Sequence, residues 1–339
     1  MNKKKARRET AMSEKKLTAN EVGVLWTQYI QNSMAVPVLE YLKNTCEDED
    51  LSPLIEMAGD LAEKGLDTCT DFFKEARLPV PNGYSLDDLN PRAKKLFTDA
   101  FMLTFLEHMG KVGLTSDGYS LGASAREDVR AFFTDRINQQ DKLYNLCVQT
   151  ALEKGIYTRA PQIEILNETE YIHSKSYYHP FHKRSLNTIE ITHIYENVKN
   201  NALGEVICQA FGQTTKNKTV KKYMRRGKQI SIDHRICLST ILEKSGITVP
   251  MKSASLLTTS TDPVFSDRLM MYMISVLISA GQGNYINGAA VSLRYDIVYH
   301  YHKLMLEAAV YGKDGLDMMI ENGWFEEPPQ APDRQRLIQ

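Results

Sequence analysis

The sequence predicts an all-α protein built from two tandem copies of one four-helix bundle. Three observations lead there: the chain matches itself over most of its length, apolar residues recur at helical spacing, and the links within each copy follow one pattern of lengths. At 339 residues the chain is about twice the usual domain size, so two separate cores can form. With 42% hydrophobic residues, 24% charged residues and 12 prolines, the composition is that of a globular chain and excludes extended disorder and collagen-like repeats. No apolar stretch reaches the roughly 18 residues expected of a membrane-spanning helix.

The repeat organises the rest. At an offset of 169 residues Leu17 meets Leu186, Glu21 meets Glu190, Val22 meets Ile191, Trp26 meets Tyr195 and Pro81 meets Pro250. At an offset of 168, Ser124-Ala125-Arg126-Glu127-Asp128 meets Ser292-Leu293-Arg294-Tyr295-Asp296, Gly155 meets Gly323 and Pro161 meets Pro329. The expected organisation is a basic tail (1–16), repeat 1 (17–160), a linker (161–185), repeat 2 (186–329) and a short C-terminal tail (330–339). The net charge of −1 divides unevenly, with +5 on residues 1–16, −8 on 17–160 and +1 on 186–329. That distribution does not describe a polyanion binder.

Each repeat reads as four amphipathic helices. In repeat 2 the first carries Ile191, Ile194, Val198, Ala202 and Val206, and the second Val220, Tyr223, Ile230, Cys237 and Ile241. The third carries Leu269, Met270, Met273 and Leu277, and the fourth Ala289, Leu293, Ile297, Leu304 and Ala308. The first link is short, near Gln213-Thr214-Thr215, and the third is a glycine-rich turn at Gly281-Gln282-Gly283-Asn284. Between them lies a long link from Gly246 to Pro263, matched in repeat 1 by Leu78 to Pro91. A helix of about 26 residues is roughly 39 Å long, and about 18 extended residues reach roughly 60 Å. The long link can therefore cross the bundle from end to end, the connectivity of a ferritin-like bundle.

Both repeats resemble the duplicated ferritin-like proteins of endospore-forming bacteria, catalogued as domain of unknown function 3231. The resemblance rests on Glu21 through Trp26-Thr27-Gln28-Tyr29, Pro79-Val80-Pro81, Leu96-Phe97-Thr98-Asp99, Gly155-Ile156-Tyr157 with Arg159-Ala160-Pro161, Met224-Arg225-Arg226-Gly227-Lys228, Asp267-Arg268-Leu269-Met270-Met271, and Gly323-Trp324-Phe325-Glu326-Glu327-Pro328-Pro329. It covers residues 17–334 and implies paired ferritin-like bundles without carrying an activity. The family's pattern has a His on the second helix of the first bundle where this chain has Gly65.

Dinuclear metal centres of ferritin-like bundles draw carboxylates and histidines from all four helices, usually with two Glu-x-x-His pairs. Here the one such pair is Glu190-Ile191-Thr192-His193, at the start of a helix. Comparing the repeats position by position finds polar residues in repeat 2 where repeat 1 is apolar or glycine: His193 for Val24, Glu205 for Val36, His234 for Gly65 and His300 for Phe132. The last three fall on inward seams, and Asp296 lies one turn before His300. Taking the first and fourth helices as parallel, Glu205, His234, His300 and Asp296 lie within roughly 12 Å along the bundle axis. A mononuclear Fe, Mn or Zn site is conceivable, with Asp296 as ligand or orienting group. A polar core satisfied by its own hydrogen bonds is the other reading.

The Arg126/Asp128 and Arg294/Asp296 pairs recur near the start of the fourth helix. Residues two apart on a helix do not face each other, so partners on other helices are expected. Lys216, Lys218, Lys221, Lys222, Arg225, Arg226 and Lys228 form a basic opening of the second helix of repeat 2, read as a solvated face. Lys3 to Arg8 read as a solubilising end. His173, His179 and His182 accompany Tyr171, Tyr177 and Tyr178 in the linker, where packing or adventitious metal binding would both fit. The five cysteines form no CxxC pair, which points to a reducing, cytoplasmic compartment. No P-loop, dinucleotide fingerprint or nucleophile triad occurs. Two functions follow: a non-catalytic structural or interaction protein of spore or stress physiology, or a metal-binding protein or metal-dependent oxidoreductase using repeat 2. Neither nucleic acid nor membrane is expected as a partner, whereas a homo-oligomer or protein partner is.

Overall fold

A computed structural model describes residues 16–164, 171–179, 184–249 and 256–334. Among them are eight long helices: α1 Ala19–Thr45, α2 Ser52–Glu75, α3 Asp99–Ala123, α4 Glu127–Glu153, α5 Thr188–Thr214, α6 Lys218–Glu243, α7 Asp267–Val291 and α8 Tyr295–Glu321. The described residues form no strand, only an isolated antiparallel bridge between Phe97 and Leu257. The chain divides into two compact units. One holds Met1–Pro91, Met102–Lys154 and Phe325–Gln339, and the other Arg92–Phe101 and Gly155–Trp324.

The helix starts follow from local chemistry. Thr18 and Asn187 cap α1 and α5, and Glu21 and Glu190, three residues on, return the bond to the capping residue's own N–H. Such reciprocal boxes satisfy two of the four N–H groups left open at a helix start. Glu21 and Glu190 also do a second job. Glu21 Oε1 accepts the N–H groups of Ala125 (3.0 Å) and Arg126 (2.7 Å), and Glu190 Oε1 those of Leu293 and Arg294 (both 3.1 Å). One carboxylate thus serves the first and fourth helices of each unit, which places their starts at the same end.

Side-chain contacts fix the other directions. In the second unit Asn201 meets Tyr285 and Thr215 meets Asp267, so α5 and α7 run antiparallel. Tyr223 stacks on Tyr311 at 4.2 Å between ring centroids, and each hydroxyl donates to the other's backbone carbonyl, at 3.1 and 3.3 Å. Gly227 and Gly315 make room: a Cβ there would lie 2.1 Å from the Tyr311 hydroxyl and 2.2 Å from that of Tyr223. This reciprocal clasp makes α6 and α8 antiparallel. Because α6 and α7 both oppose their neighbours in this way they are parallel to each other, and the link between them joins opposite ends of the bundle. In the first unit Gly110 faces Tyr144 and Gly113 faces Gln140, while Lys64 pairs with Asp135 and Phe72 packs on Phe132, which gives the same helix directions.

Two boundaries differ from the sequence expectation. The third link of repeat 2 is Ser292-Leu293-Arg294, and α7 runs straight through Gly281 and Gly283. A Cβ at either glycine would meet nothing. They sit on an open face, where glycine costs a helix only about 1 kcal/mol relative to alanine, and continuing the helix buries Tyr285 and Gly288. Ala289 therefore belongs to α7, and Leu293 is exposed in the link. The first link is 215–217, with Gln213 and Thr214 in the last turn of α5.

The Arg-x-Asp pairs also differ. Arg126 and Arg294 are N-cap residues with extended backbone, ψ 134° and 114°. Outside the helix the two-residue spacing no longer separates the side chains. Arg126 binds Asp128 at 3.0 and 2.5 Å, and Arg294 binds Asp296 at 3.1 and 2.7 Å.

Candidate functional site

Halfway along each bundle, polar side chains converge on the axis. In the second unit the centre is His234 of α6, buried. Its Nδ1 lies 2.9 Å from the Tyr285 hydroxyl and its Nε2 lies 3.0 Å from Glu307 Oε2. Asn201 Nδ2 donates to the same phenol oxygen at 2.8 Å. With the imidazole neutral and a carboxylate able only to accept, Nε2–H donates to Glu307 and Nδ1 accepts the Tyr285 hydroxyl proton, while the same hydroxyl also lies 3.0 Å from Asn201 Oδ1. Burial pushes the imidazole below its ordinary pKa, and the Glu307 carboxylate opposes this without cancelling it. Burial also raises the Tyr285 phenol. The result is a relay from a half-buried amide through a neutral phenol and imidazole to a half-exposed carboxylate.

The other sequence-predicted residues go elsewhere. Glu205, buried on α5, has Arg235 Nε at 3.4 Å from its Oε2. His300 Nδ1 lies 3.5 Å from Cys237 Sγ. Asp296 is held by Arg294. Glu190 is fully buried and takes a two-point contact from Arg184 at 2.8 and 2.9 Å besides the N–H groups above. His193 is half-buried at the α5 start. The structure does not bring Glu205, His234, His300 and Asp296 to one point. Among the described residues no group of three or more His, Cys, Asp or Glu side chains is arranged to hold a metal ion.

In the first unit the equivalent centre has different chemistry. Arg136 of α4 and Asp117 of α3 are buried and joined Nε to Oδ1 at 3.1 Å. Arg136 Nη1 also donates to the Leu61 carbonyl at 3.3 Å. The Gln28 amide completes the set when its nitrogen faces Asp117 Oδ1 and its oxygen accepts from Arg136 Nη2, both at 2.9 Å, and from Asn32 Nδ2 at 3.2 Å. Gly65 permits this packing, because a Cβ would lie 2.4 Å from Asn32 Nδ2 and 2.5 Å from Arg136 Nη1. Burial raises the Asp117 carboxyl and the Arg136 guanidinium opposes the shift. A dinuclear centre does not fit here, since a fixed guanidinium already neutralises the single carboxylate at the axis.

Position by position, Gln28 corresponds to Asn197, Asn32 to Asn201, Gly65 to His234, Asp117 to Tyr285 and Arg136 to Leu304. Of these, sequence comparison found only the His234 position. It sought polar residues replacing apolar ones in repeat 2, and so passed over positions polar in both copies, such as Asn32/Asn201, and positions polar only in repeat 1, such as Arg136.

Other candidates are unremarkable in chemistry. Burial pushes the thiols of Cys69, Cys147 and Cys208 up to about 12, so they are not thiolates at neutral pH. Lys216, Lys218, Lys222, Arg225 and Arg226 are exposed, as a solvated face requires. His173 and His179 are exposed, while His182 and Lys3 to Arg8 lie outside the described residues. No helix of the described residues is long and apolar enough to cross a membrane.

Comparison with known proteins agrees with the duplication. The profile of a family described as "Protein of unknown function (DUF3231)" matches residues 8–168 and again 179–337. No curated protein matches. A solved structure, a provisionally assigned spore coat protein from Bacillus halodurans C-125, aligns at 21% identity over 44% of this chain and 97% of its own, with a TM-score of 0.39.

Proposed function

The chain belongs to this DUF3231 family, matched over both of its halves, and on that premise we propose that the protein is a non-catalytic structural or interaction protein serving spore or stress physiology. One observation carries the reading: polar side chains at the bundle centres, and Asp296 at the start of α8, lie against partners of the protein's own. Arg136 holds Asp117, His234 joins Tyr285 to Glu307, Glu205 faces Arg235 and Asp296 faces Arg294. Pairings of this kind inside a protein specify packing and register. Chemistry on a substrate needs groups held open towards it.

Elemental analysis of protein purified without a histidine tag tests the reading. The expected result is substoichiometric Fe, Mn and Zn, unchanged by Glu205→Ala, His234→Ala or His300→Ala. One metal per chain, lost in those variants and raising the melting temperature when added back, would overturn it. That outcome would favour a metal-binding protein or metal-dependent oxidoreductase centred on repeat 2.

A further inference from the structure

Helix α8 has two opposite faces of apolar character. The inner one, with Ile297, Tyr301, Leu304 and Tyr311, is buried in the core of its unit. The outer one carries Tyr295, Tyr299, Leu306, Val310 and Ile320 at 55%, 68%, 61%, 55% and 59% exposure. At 100° per residue these five fall within an arc of roughly 80°, centred opposite the buried residues. Duplication supplies a control for this surface. In α4 the five equivalent positions are Glu127, Ala131, Asn138, Lys142 and Leu152, only the last of them a large apolar side chain. The outer face of α8 is enriched in apolar residues, with His302 and the Lys313–Asp317 pair in the same arc, although nothing about the fold of the module demands that enrichment.

We infer that this face is the contact between two copies of the chain, α8 against α8 in antiparallel order about a two-fold axis. Its chemistry is self-complementary in one register. With Leu306 opposite Val310 of the partner subunit, Lys303 lies beside Asp314 of the partner subunit. In that register Tyr299 reaches Asp317 of the partner subunit, and Tyr295 covers Ile320 of the partner subunit. Each pairing occurs twice, as an isologous interface requires. Within the chain Lys303 lies 3.9 Å from Glu307, and Asp314 pairs with Arg226. These are half-exposed contacts of small net value, so both charges are available to a partner.

The area fits as well. Side chains of these sizes at these exposures present roughly 500 Å², the upper range of what a monomer leaves open. Doubled across the axis this is about 1,000 Å², where specific interfaces begin. The inference extends the structural reading above but fails separately from it, because that reading is tested by metal content and this one by mass.

Sedimentation equilibrium of the full chain between about 1 and 100 μM brackets an interface of this size. The expected result is a monomer–dimer equilibrium. Leu306→Asp combined with Val310→Asp should weaken it at least about tenfold, with helix content and melting temperature unchanged because both positions are exposed. Lys303→Asp and Asp314→Lys should each weaken it several-fold, and the double variant should restore it, since the two charges then exchange places across the axis. A monomer at every concentration would overturn the inference. So would a dimer indifferent to the paired aspartates, which would place its contact elsewhere on the molecule.

Discussion

The centres of the two units occupy equivalent positions on the same helices and solve the same problem differently. The first buries an ion pair, Arg136 with Asp117, wrapped by two side-chain amides. The second joins two buried neutral groups, Tyr285 and His234, to the half-exposed carboxylate of Glu307. The exchange is stereochemically coupled. A guanidinium at this position needs Gly65, because a Cβ there would lie 2.5 Å from Arg136 Nη1, and where the second helix carries His234 the fourth carries Leu304 instead. The lesson is that the bundle fixes where polarity is tolerated and leaves its kind open.

The largest test breaks the first centre. Arg136→Met strands a carboxylate at the axis and should cost about 3–5 kcal/mol, read by chemical denaturation. Replacing Asp117 and Arg136 together by leucines should recover most of that loss, because apolar substitution of both members of a buried pair is close to neutral.

Next comes the coupling itself. Gly65→Ala should destabilise by about 1–3 kcal/mol, since Asn32 and Arg136 must move aside. A failure of this variant to lower the denaturation midpoint would separate the two changes.

Acidification sharpens the comparison from the other side. The folded pKa of His234 lies below its ordinary 6.5, so the unfolded chain binds its proton first. The stabilisation from keeping the imidazole neutral is complete above 6.5. It is lost as pH falls from 6.5 towards the lowered folded value, at no more than about 1.4 kcal/mol per pH unit. Calorimetry should show this slope between pH 7 and 5 and should lose it in His234→Gln. The smallest effect is expected of Glu307→Gln, below about 1 kcal/mol because Glu307 is half-exposed. It should nonetheless extend the His234 slope to lower pH by removing the charge that opposes burial.

Much of the architecture was legible in the sequence. Repetition established the duplication, and the long second link established the crossing, because parallel second and third helices leave no shorter route. The glycines at 281 and 283 misled, since a glycine pair marks a turn only where the helix has nothing to gain by continuing, and α7 gains the burial of Tyr285. The centre was only partly legible. His234 stood out against Gly65, but its partners did not. Tyr285 looks like an ordinary core aromatic, and Glu307 like one of many surface acids. Arg136 has no sequence mark at all, because a buried arginine is recognisable only from the aspartate and amides that two other helices bring to it. Glu205 is buried, as an inward seam requires, whereas His300, expected on an inward seam, is half-buried, and pairing across helices depends on side-chain direction as well as height.

Glu21 and Glu190 explain how such drift could be survived. Both are fully buried. In each, burial raises the carboxyl but hydrogen bonds outweigh it, so the group stays ionised below the ordinary glutamate range. By bracing the starts of two helices with one anion, each copy secures its longitudinal alignment at the pole. The midsection is then relieved of that duty, and mutations there alter what the interior is made of without letting the rods slip past one another.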